Sequence, residues 1–257
     1  MKKYLFVDLD DTLFSSLAKC GPDTDLQPAA YLKDRSACSF TTAKQRAFFS
    51  MMEQSMMLIP ATARNRDAFG RVDLPFNGYK ILNYGGLILK PDGEPDGHWM
   101  EHMRGAMAAA MPGLQQAMAL IDDHAQRHGL TARARLIEDC GLPFYIVVKD
   151  PDKIGERLIP FDHEVLAPWV AGAGSDFYIH RNGNNLALLP NALNKARAVD
   201  YVTGLLRAQH GEIMTMGMGA TATAPASWPF PTPPPTASST TSPPLPPEPR
   251  PVVKRIG

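Results

Sequence analysis

The sequence lacks a long apolar run: no stretch approaches the ~20 continuous apolar residues that span a bilayer. The chain opens Met-Lys-Lys, as secretion signals do. However, Asp8 interrupts the apolar run that follows, and no small-residue cleavage site comes after it. We therefore expect neither a membrane helix nor a signal peptide, and we expect a cytoplasmic protein.

Cysteine is scarce, and neither sign of charge is in excess. The three cysteines, Cys20, Cys38 and Cys140, are widely spaced and form no CxxC pair, so we expect reduced thiols without a zinc site or disulfide framework. The 26 basic and 26 acidic residues cancel. This balance provides no basic surface for nucleic acid and no acidic tail. We expect no nucleic-acid partner and no membrane partner.

A short buried strand followed by acidic residues is the strongest feature present. Residues 4–9 (YLFVDL) are typical of a strand in a parallel sheet, and Asp10, Asp11 and Thr12 follow at its C-terminal end, where open α/β sheets bind ligands. Asp8 and Asp10 are two residues apart, so both can face one substrate. Phosphoryl transfer needs such a nucleophile and acid, and the cluster suits Mg²⁺. An acidic loop without catalytic role is the alternative.

Three weaker features occur later in the chain. Thr62 ends a second predicted strand at 58–62, and its hydroxyl is placed to bind a phosphoryl oxygen. Lys195 begins a predicted amphipathic helix at 194–210, where its ammonium can offset the charges of a phosphate and Asp8. A last strand at 212–216 runs into Gly217-Met218-Gly219, which lets backbone approach a ligand. Each alone is weak, since a lysine at a helix start is usually a surface residue.

The order of these motifs resembles the haloacid dehalogenase superfamily over residues 1–219. Residues 81–89 (ILNYGGLIL) and 188–196 (LLPNALNKA) resemble the entry to and the return from the large α/β cap of one subclass. The resemblance implies that Asp8 is the nucleophile and Asp10 the general acid/base. It implies that Thr12, Thr62 and Lys195 bind the substrate phosphate, and that Asp8 and the backbone carbonyl of Asp10 bind Mg²⁺.

The same resemblance implies an architecture and an activity. The fold is expected to be α/β, with a Rossmann-like parallel-sheet core at 1–65 and 185–219 and an inserted α+β cap at 66–184. The activity implied is Mg²⁺-dependent hydrolysis of a small, sugar-type phosphomonoester through an aspartyl-phosphate intermediate. Within the cap, Asn83, Arg181 and Asn184 are candidates to face the substrate. The pair His98 and His102 has helical spacing without a third metal ligand and indicates a solvated surface.

The pattern breaks after Gly219. The family places one or two metal-binding acids there, whereas this chain continues with Ala220 and has no acid before Glu248. Residues 220–257 contain half of the chain's 24 prolines and are expected to be disordered. The codons of this segment, grouped one frame along, permit an Asp directly after Gly219. We interpret the tail as a frameshift product. The alternative is a native Pro-rich tail, which could dock to aromatic-groove domains in the way that many Pro-rich segments do.

Two functions remain open at this point. One is an active phosphatase; the other is a catalytically impaired remnant or binding protein that lacks the last carboxylates. Mg²⁺ affinity distinguishes them. A response-regulator receiver also uses clustered acids, Thr and Lys. It requires a phospho-accepting Asp at a later strand end, where this chain has Thr62, and its small fold has no place for the long middle segment.

Overall fold

The computed structural model describes residues 1–22 and 25–219, so the predictions for 220–257 lie outside the described residues. Its centre is a parallel sheet in the order β11-β1-β4, formed by β1 (Lys2–Val7), β4 (Met57–Pro60) and β11 (Ile213–Met218). The middle strand β1 is buried from Tyr4 to Val7. Its C-terminal end opens towards the second half of the molecule.

Two helices make the crossovers of this sheet. α1 (Ala43–Glu53) precedes β4, and α5 (Lys195–His210) precedes β11. The α1 helix begins at Thr42, whose hydroxyl accepts from the Gln45 N–H while the Gln45 side chain accepts in return. An antiparallel pair, β2 (Gln27–Tyr31) and β3 (Ala37–Thr41), stands before α1. The sequence analysis missed this pair because bulges interrupt its two-residue period.

The second half contains a four-stranded antiparallel sheet, which we call the cap sheet. Its order is β7-β8-β10-β9, and a two-stranded hairpin of β5 and β6 joins it to the core. The elements between β4 and α5 are α2 (Arg66–Phe69), β5 (Lys80–Leu82), β6 (Leu87–Leu89), α3 (Gly97–Arg127), β7 (Arg133–Asp139), β8 (Leu142–Lys149), α4 (Ala167–Val170), β9 (Phe177–Arg181) and β10 (Leu186–Pro190).

The predicted α/β class, with a parallel core and a second α+β layer, is confirmed by these two sheets. The predicted domain boundary between residues 184 and 185 needs a correction. β10 pairs with β8 and β9, so residues 186–190 belong to the cap sheet, and the chain returns to the core after Pro190. The sequence suggested an earlier return because the apolar run of β10 is buried along its whole length, as a core strand would be.

Two helical segments depart from a regular α-helix pattern. α3 continues through Pro112 and Gly113, although both residues disfavour a helix interior. Proline removes one backbone donor, while Gly113 is required by packing: a Cβ there would lie 2.5 Å from the Phe177 ring. The second segment is a π-helix at Phe161–Leu166, which runs directly into α4.

Both halves contribute to one apolar cluster that fixes the cap against the core. It contains Phe6 and Ile59 of the parallel sheet together with Phe144 and Tyr145 of the cap sheet. Between residues 1–22 and 25–219, no helix has the length and apolar character needed to cross a membrane.

Candidate active site

Asp8 lies directly after the central strand and is held by contacts from three elements. Its main-chain N–H donates to the carbonyl of Met218 over 3.0 Å, which ties it to the end of β11. Its Oδ1 accepts from the Leu9 N–H at 2.8 Å and lies 3.0 Å from Nζ of Lys195. The carboxylate is therefore fixed at the C-terminal edge of the parallel sheet.

Lys195 is the first residue of α5, and its position follows from the way this helix begins. The Asn194 side chain accepts from the N–H groups of Ala196 and Arg197, which caps the helix. The Lys195 side chain is 9% exposed, so its ammonium is directed inward at Asp8. A helix N-terminus carries partial positive charge, which adds to the ammonium in attracting an anion.

Asp10 is held by Arg64 through a two-pronged ion pair. Nε and Nη2 of Arg64 donate to Oδ2 and Oδ1 of Asp10 at 2.9 and 2.7 Å. The guanidinium also lies over the Phe14 ring, 5.0 Å from its centroid. The sequence analysis gave no role to Arg64, which lies four residues beyond the end of β4 and has no motif of its own.

The remaining residues of the first motif diverge. The carboxylate of Asp11 pairs with Lys19 at 2.5 Å on an exposed edge. Thr12 lines the cavity described below. Gly219 has a positive φ of 103°, and a Cβ there would lie 2.5 Å from the Cβ of Asp8. The glycine predicted to let backbone approach a ligand thus lets β11 approach the nucleophile candidate itself.

Thr62 is fully buried, and the structure does not place it on the cavity wall. Its main-chain N–H donates to the carbonyl of Ile81, and its hydroxyl oxygen accepts from the Arg64 N–H at 3.2 Å. The hydroxyl proton remains available for another acceptor. Its phosphate-binding role therefore stays a prediction, and the observed contact is to the backbone of the residue that holds Asp10.

A cavity of about 1170 Å³ lies between these residues and the cap sheet. Asp8, Asp10, Thr12, Arg64 and Lys195 form its floor on the core side. The cap sheet and the loop between β9 and β10 form the opposite wall, where the cavity is lined by Arg135, Ile137, Tyr145, Val147, Lys149, Tyr178, His180, Asn182 and Asn185.

Aromatic side chains surround the floor of the cavity. The ring of Tyr84 meets Tyr145 edge-on at 5.3 Å and His180 at 5.5 Å. Burial raises the pKa of Tyr84 above its usual range and raises the pKa of Tyr145 and Tyr178 to about 12, so all three hydroxyls stay protonated. Tyr84 adopts a left-handed φ of 57°, a strained conformation that presents its ring to the cavity.

His180 lies close enough to the Asp8–Lys195 pair to respond to both charges. Burial lowers its pKa, the Lys195 ammonium lowers it further, and Asp8 acts in the opposite direction. Burial and the cation dominate, so the imidazole is neutral at neutral pH. In the sequence, nothing distinguishes His180 from an ordinary surface histidine.

The three cap residues expected to face the substrate point elsewhere. Asn83 donates to Oδ2 of Asp139, Arg181 donates to the carbonyl of Gly155, and Asn184 bonds both backbone groups of Asp150. None of them lines the cavity. Side chains alternate along β9, so His180 faces the cavity and Arg181 faces away. β9 and β10 form an antiparallel pair, and the candidate Arg181 is one residue out of register with the face that lines the cavity.

The donor atoms at the floor fit Mg²⁺ in kind but not in number. The Asp8 carboxylate and the Asp10 main-chain carbonyl are hard oxygen donors. Over residues 1–22 and 25–219, however, no group of three or more His, Cys, Asp or Glu side chains is arranged to hold a metal ion. Asp10 directs its carboxylate to Arg64, and Asp11 directs its carboxylate to Lys19.

No protein-family model matches the chain, and no curated protein matches it. Among solved structures it is similar to sucrose-phosphatase from Synechocystis, in complex with sucrose and phosphate, with 19% identity, a TM-score of 0.43 and coverage of 84% of this chain and 76% of that one. It is also similar to the C-terminal domain of trehalose-6-phosphate phosphatase from C. albicans, with 11% identity, a TM-score of 0.49 and coverage of 78% and 61%.

A third similar structure is a haloacid dehalogenase-like hydrolase from Bacteroides thetaiotaomicron, with 12% identity, a TM-score of 0.43 and coverage of 85% of this chain and 82% of that one. At this distance the similarity carries no inference about the chemistry of this chain, which depends on its own side chains.

Proposed function

We propose that this chain is a phosphomonoester hydrolase in which Asp8 attacks phosphorus and forms an aspartyl-phosphate intermediate. The observation that carries the proposal is the Lys195–Asp8 pair, an ammonium 3.0 Å from a carboxylate at the C-terminal end of the central strand, on the floor of a large cavity. The cation offsets the charge that accumulates when a carboxylate approaches a phosphoryl group.

The first half of the reaction joins Asp8 to phosphorus. The Leu9 and Lys195 contacts both fall on Oδ1, so we assign the attack to Oδ2. The Oδ2–P bond forms while the bond from phosphorus to the substrate oxygen breaks, and Asp10 gives a proton to that oxygen. Lys195 and Thr12, which line the cavity, bind the phosphoryl oxygens. The buried Thr62 hydroxyl is the third proposed donor, and it reaches phosphate only if the floor of the cavity opens towards it.

The second half releases phosphate. Asp10 takes a proton from a water molecule while the oxygen of that water attacks phosphorus. The bond between phosphorus and Oδ2 of Asp8 then breaks, which restores the Asp8 carboxylate. Arg64 takes up one lone pair on each oxygen of Asp10, which orients the carboxylate and leaves the second lone pair of each oxygen to exchange a proton. Arg64 is thus a positioning residue for the acid/base.

Mg²⁺ would be held by Asp8 and the main-chain carbonyl of Asp10, and when bound it supplies positive charge to the phosphoryl oxygens. Two protein donors are few for an ion that prefers octahedral coordination, so weak binding is expected. This shortage favours the second candidate, an impaired remnant or binding protein with the same site. Phosphomonoester binding without turnover at saturating Mg²⁺ would identify that candidate.

The cavity suits a small substrate of the sugar-phosphate type. Its volume of about 1170 Å³ accommodates more than a bare phosphate. Three tyrosines provide flat apolar faces for a sugar ring, and the amides of Asn182 and Asn185 provide hydrogen bonds to hydroxyl groups.

Kinetics of the full chain with Mg²⁺ and a panel of sugar phosphates test the proposal. Asp8→Asn keeps the size of the side chain and removes the anion, so turnover should vanish while the circular dichroism spectrum is unchanged. Asp10→Asn should lower kcat by roughly 10²–10⁴-fold. Asp123→Asn, the same change at an exposed position on α3, is the control. Turnover of Asp8→Asn near the wild-type level would exclude the mechanism.

A further inference from the structure

The cavity contains two basic side chains that the proposed chemistry does not use. Six Lys and Arg side chains line it, and four of them have a carboxylate partner: Lys195 with Asp8 at 3.0 Å, Arg64 with Asp10 at 2.7 Å, Arg71 with Asp67 at 2.7 Å and Lys33 with Asp67 at 3.7 Å. The other two are Arg135 and Lys149. Among the described residues, neither has a hydrogen-bond or ion-pair partner.

Arg135 and Lys149 lie on one face of the cap sheet. Arg135 of β7 is directly opposite Val147 of β8, and Lys149 is two residues beyond Val147 on the same strand. Side chains two residues apart on a strand point in the same direction, so the two cations are diagonal neighbours. Both side chains are exposed on the wall of the cavity rather than on the outer surface of the cap.

This arrangement of charges is unfavourable without an anion. Partial burial lowers the pKa of Lys149, and the nearby Arg135 guanidinium lowers it further. Glu138 is the acidic residue of β7 that reaches the cavity, three residues from Arg135, and it pairs with neither cation. A bound anion would relieve the repulsion between the two side chains and satisfy their donors.

The distance of the two cations from the floor defines the kind of ligand. Tyr145 of β8 contacts Tyr84 beside the floor, with ring centroids 5.3 Å apart. At the rise of a β-strand, Val147 lies roughly 7 Å and Lys149 roughly 13 Å beyond Tyr145. The two cations are therefore separated from the scissile phosphate by about the length of one sugar unit.

We infer that the substrate carries a second anionic group, a carboxylate or a phosphate, which Arg135 and Lys149 bind at the end remote from the scissile phosphate. This inference rests on the proposed phosphatase function and narrows its substrate to dianionic or bisphosphorylated sugars and sugar acids. Arg135 contributes a planar fork of donors, and Lys149 contributes a compact charge.

Binding to the full-length Asp8→Asn variant tests the inference without turnover. Calorimetry compares 6-phosphogluconate with glucose 6-phosphate, which have the same carbon number and the same phosphate but differ in the C1 carboxylate. The carboxylate should tighten binding about tenfold or more. A second comparison, fructose 1,6-bisphosphate with fructose 6-phosphate, tests a second phosphate in the same way. If the affinity rises in only one of the two comparisons, the site binds the anion of that comparison.

Adding Arg135→Gln and Lys149→Gln should abolish the preference and change the affinity for glucose 6-phosphate by less than about threefold. Arg133→Gln is the matched control: Arg133 is on the same strand and face, but its guanidinium donates to the carbonyls of Leu130 and Ala132. It should leave the preference in place.

Three results would overturn the inference. They are equal affinity for the ligands with and without the second anion in both comparisons, no binding of any of these ligands, and a preference that survives the double substitution. Turnover by the wild-type chain is measured separately. A chain that binds 6-phosphogluconate tightly through Arg135 and Lys149 but hydrolyses no phosphomonoester would refute the hydrolase and retain the anion site.

Discussion

Among single residues, the proposed mechanism depends on the charged side chains of Asp8 and Lys195, which lie 3.0 Å apart. His180 reports on them, because burial and Lys195 lower its pKa while Asp8 raises it. In a metal-free NMR titration its imidazole should titrate below the ordinary value of ~6.5. Lys195→Met should raise that pKa, and Asp8→Asn should lower it further.

The same shift has a consequence for stability. The unfolded chain binds a proton at His180 more readily than the folded chain. The contribution of His180 to the free energy of unfolding is therefore fully present above about pH 6.5, and it is lost as the pH falls through the pKa of the folded chain. The NMR titration would contradict this account if the pKa of His180 were at or above the ordinary value and did not change in Lys195→Met. The Lys195 ammonium would then have no effect on the His180 imidazole.

The residues of the proposed site were predictable where their pattern has a direct chemical reason. Asp8 and Asp10 follow a buried strand, and Lys195 begins a helix; the structure brings Lys195 to Asp8. Arg64, Tyr84 and His180 were not assigned, because their roles depend on contacts across distant parts of the chain. Asn83, Arg181 and Asn184 do not line the cavity. For Arg181 a one-residue difference in register reverses the face of β9, whereas Asn83 and Asn184 lie in turns whose direction no strand period predicts.

At the scale of elements, the turn between β5 and β6 supports the start of α5. Gly85 has a φ of 96°, and a Cβ there would lie 2.5 Å from the Asn194 carbonyl oxygen and 3.1 Å from the Lys195 nitrogen. Gly85→Ala should therefore displace Lys195 and destabilise the fold by more than ~1–2 kcal/mol, since the left-handed conformation alone costs this much. Urea denaturation and kcat measure the two effects.

Gly105→Ala is the control, with an effect of opposite sign. Gly105 lies within α3, and a Cβ there would meet nothing within 4 Å. Alanine should stabilise this helix by roughly 0.5–1 kcal/mol and leave kcat unchanged. If both substitutions have the same effect on unfolding and on kcat, the contact between the turn and α5 has no role in placing Lys195.

The end of β11 lies beside the proposed metal site. Gly219 lies against Asp8, since a Cβ built on this glycine would be 2.5 Å from the Cβ of Asp8. Position 220 is the next in the sequence, where the motif resemblance implies a metal-binding acid. Ala220→Asp supplies the carboxylate that the motif resemblance implies at this position of the sequence. It should tighten Mg²⁺ binding by roughly tenfold. Ala220→Asn, with the same shape and no charge, should not, and equal affinities for the two variants would refute a shortage of carboxylates.

At the scale of the whole molecule, the parallel sheet is narrow. Within residues 1–22 and 25–219, β11 pairs with β1 alone, and Met214 and Met216 on it are 40% and 48% exposed. An unpaired apolar edge favours pairing with another chain. We expect concentration-dependent association in light scattering, reduced by Met216→Lys. Met51→Lys, at an equally exposed position on α1, should have no such effect. A wild-type chain that stays monomeric at high concentration would contradict this expectation.

The fold class was predictable from the sequence because strand and helix periods alternate in the core and antiparallel hairpins dominate the middle segment. Three details were not. β2 and β3 are hidden by bulges, β10 has the buried apolar pattern of a core strand but pairs in the cap sheet, and α3 continues through Pro112. In each case tertiary packing overrides a local signal, as Phe177 does by packing against Gly113.

The central claim is that Asp8 carries the phosphoryl group, and trapping that intermediate tests it most directly. The wild-type chain is mixed with a turned-over sugar phosphate and Mg²⁺, quenched in acid within one turnover and digested, and the peptide containing Asp8 is analysed by mass spectrometry. The account predicts the added mass of one phosphoryl group on Asp8, with a larger fraction in Asp10→Asn if hydrolysis of the intermediate slows more than its formation. A chain that turns over substrate with Asp8 unmodified at every quench time, or with the group on another residue, would contradict it.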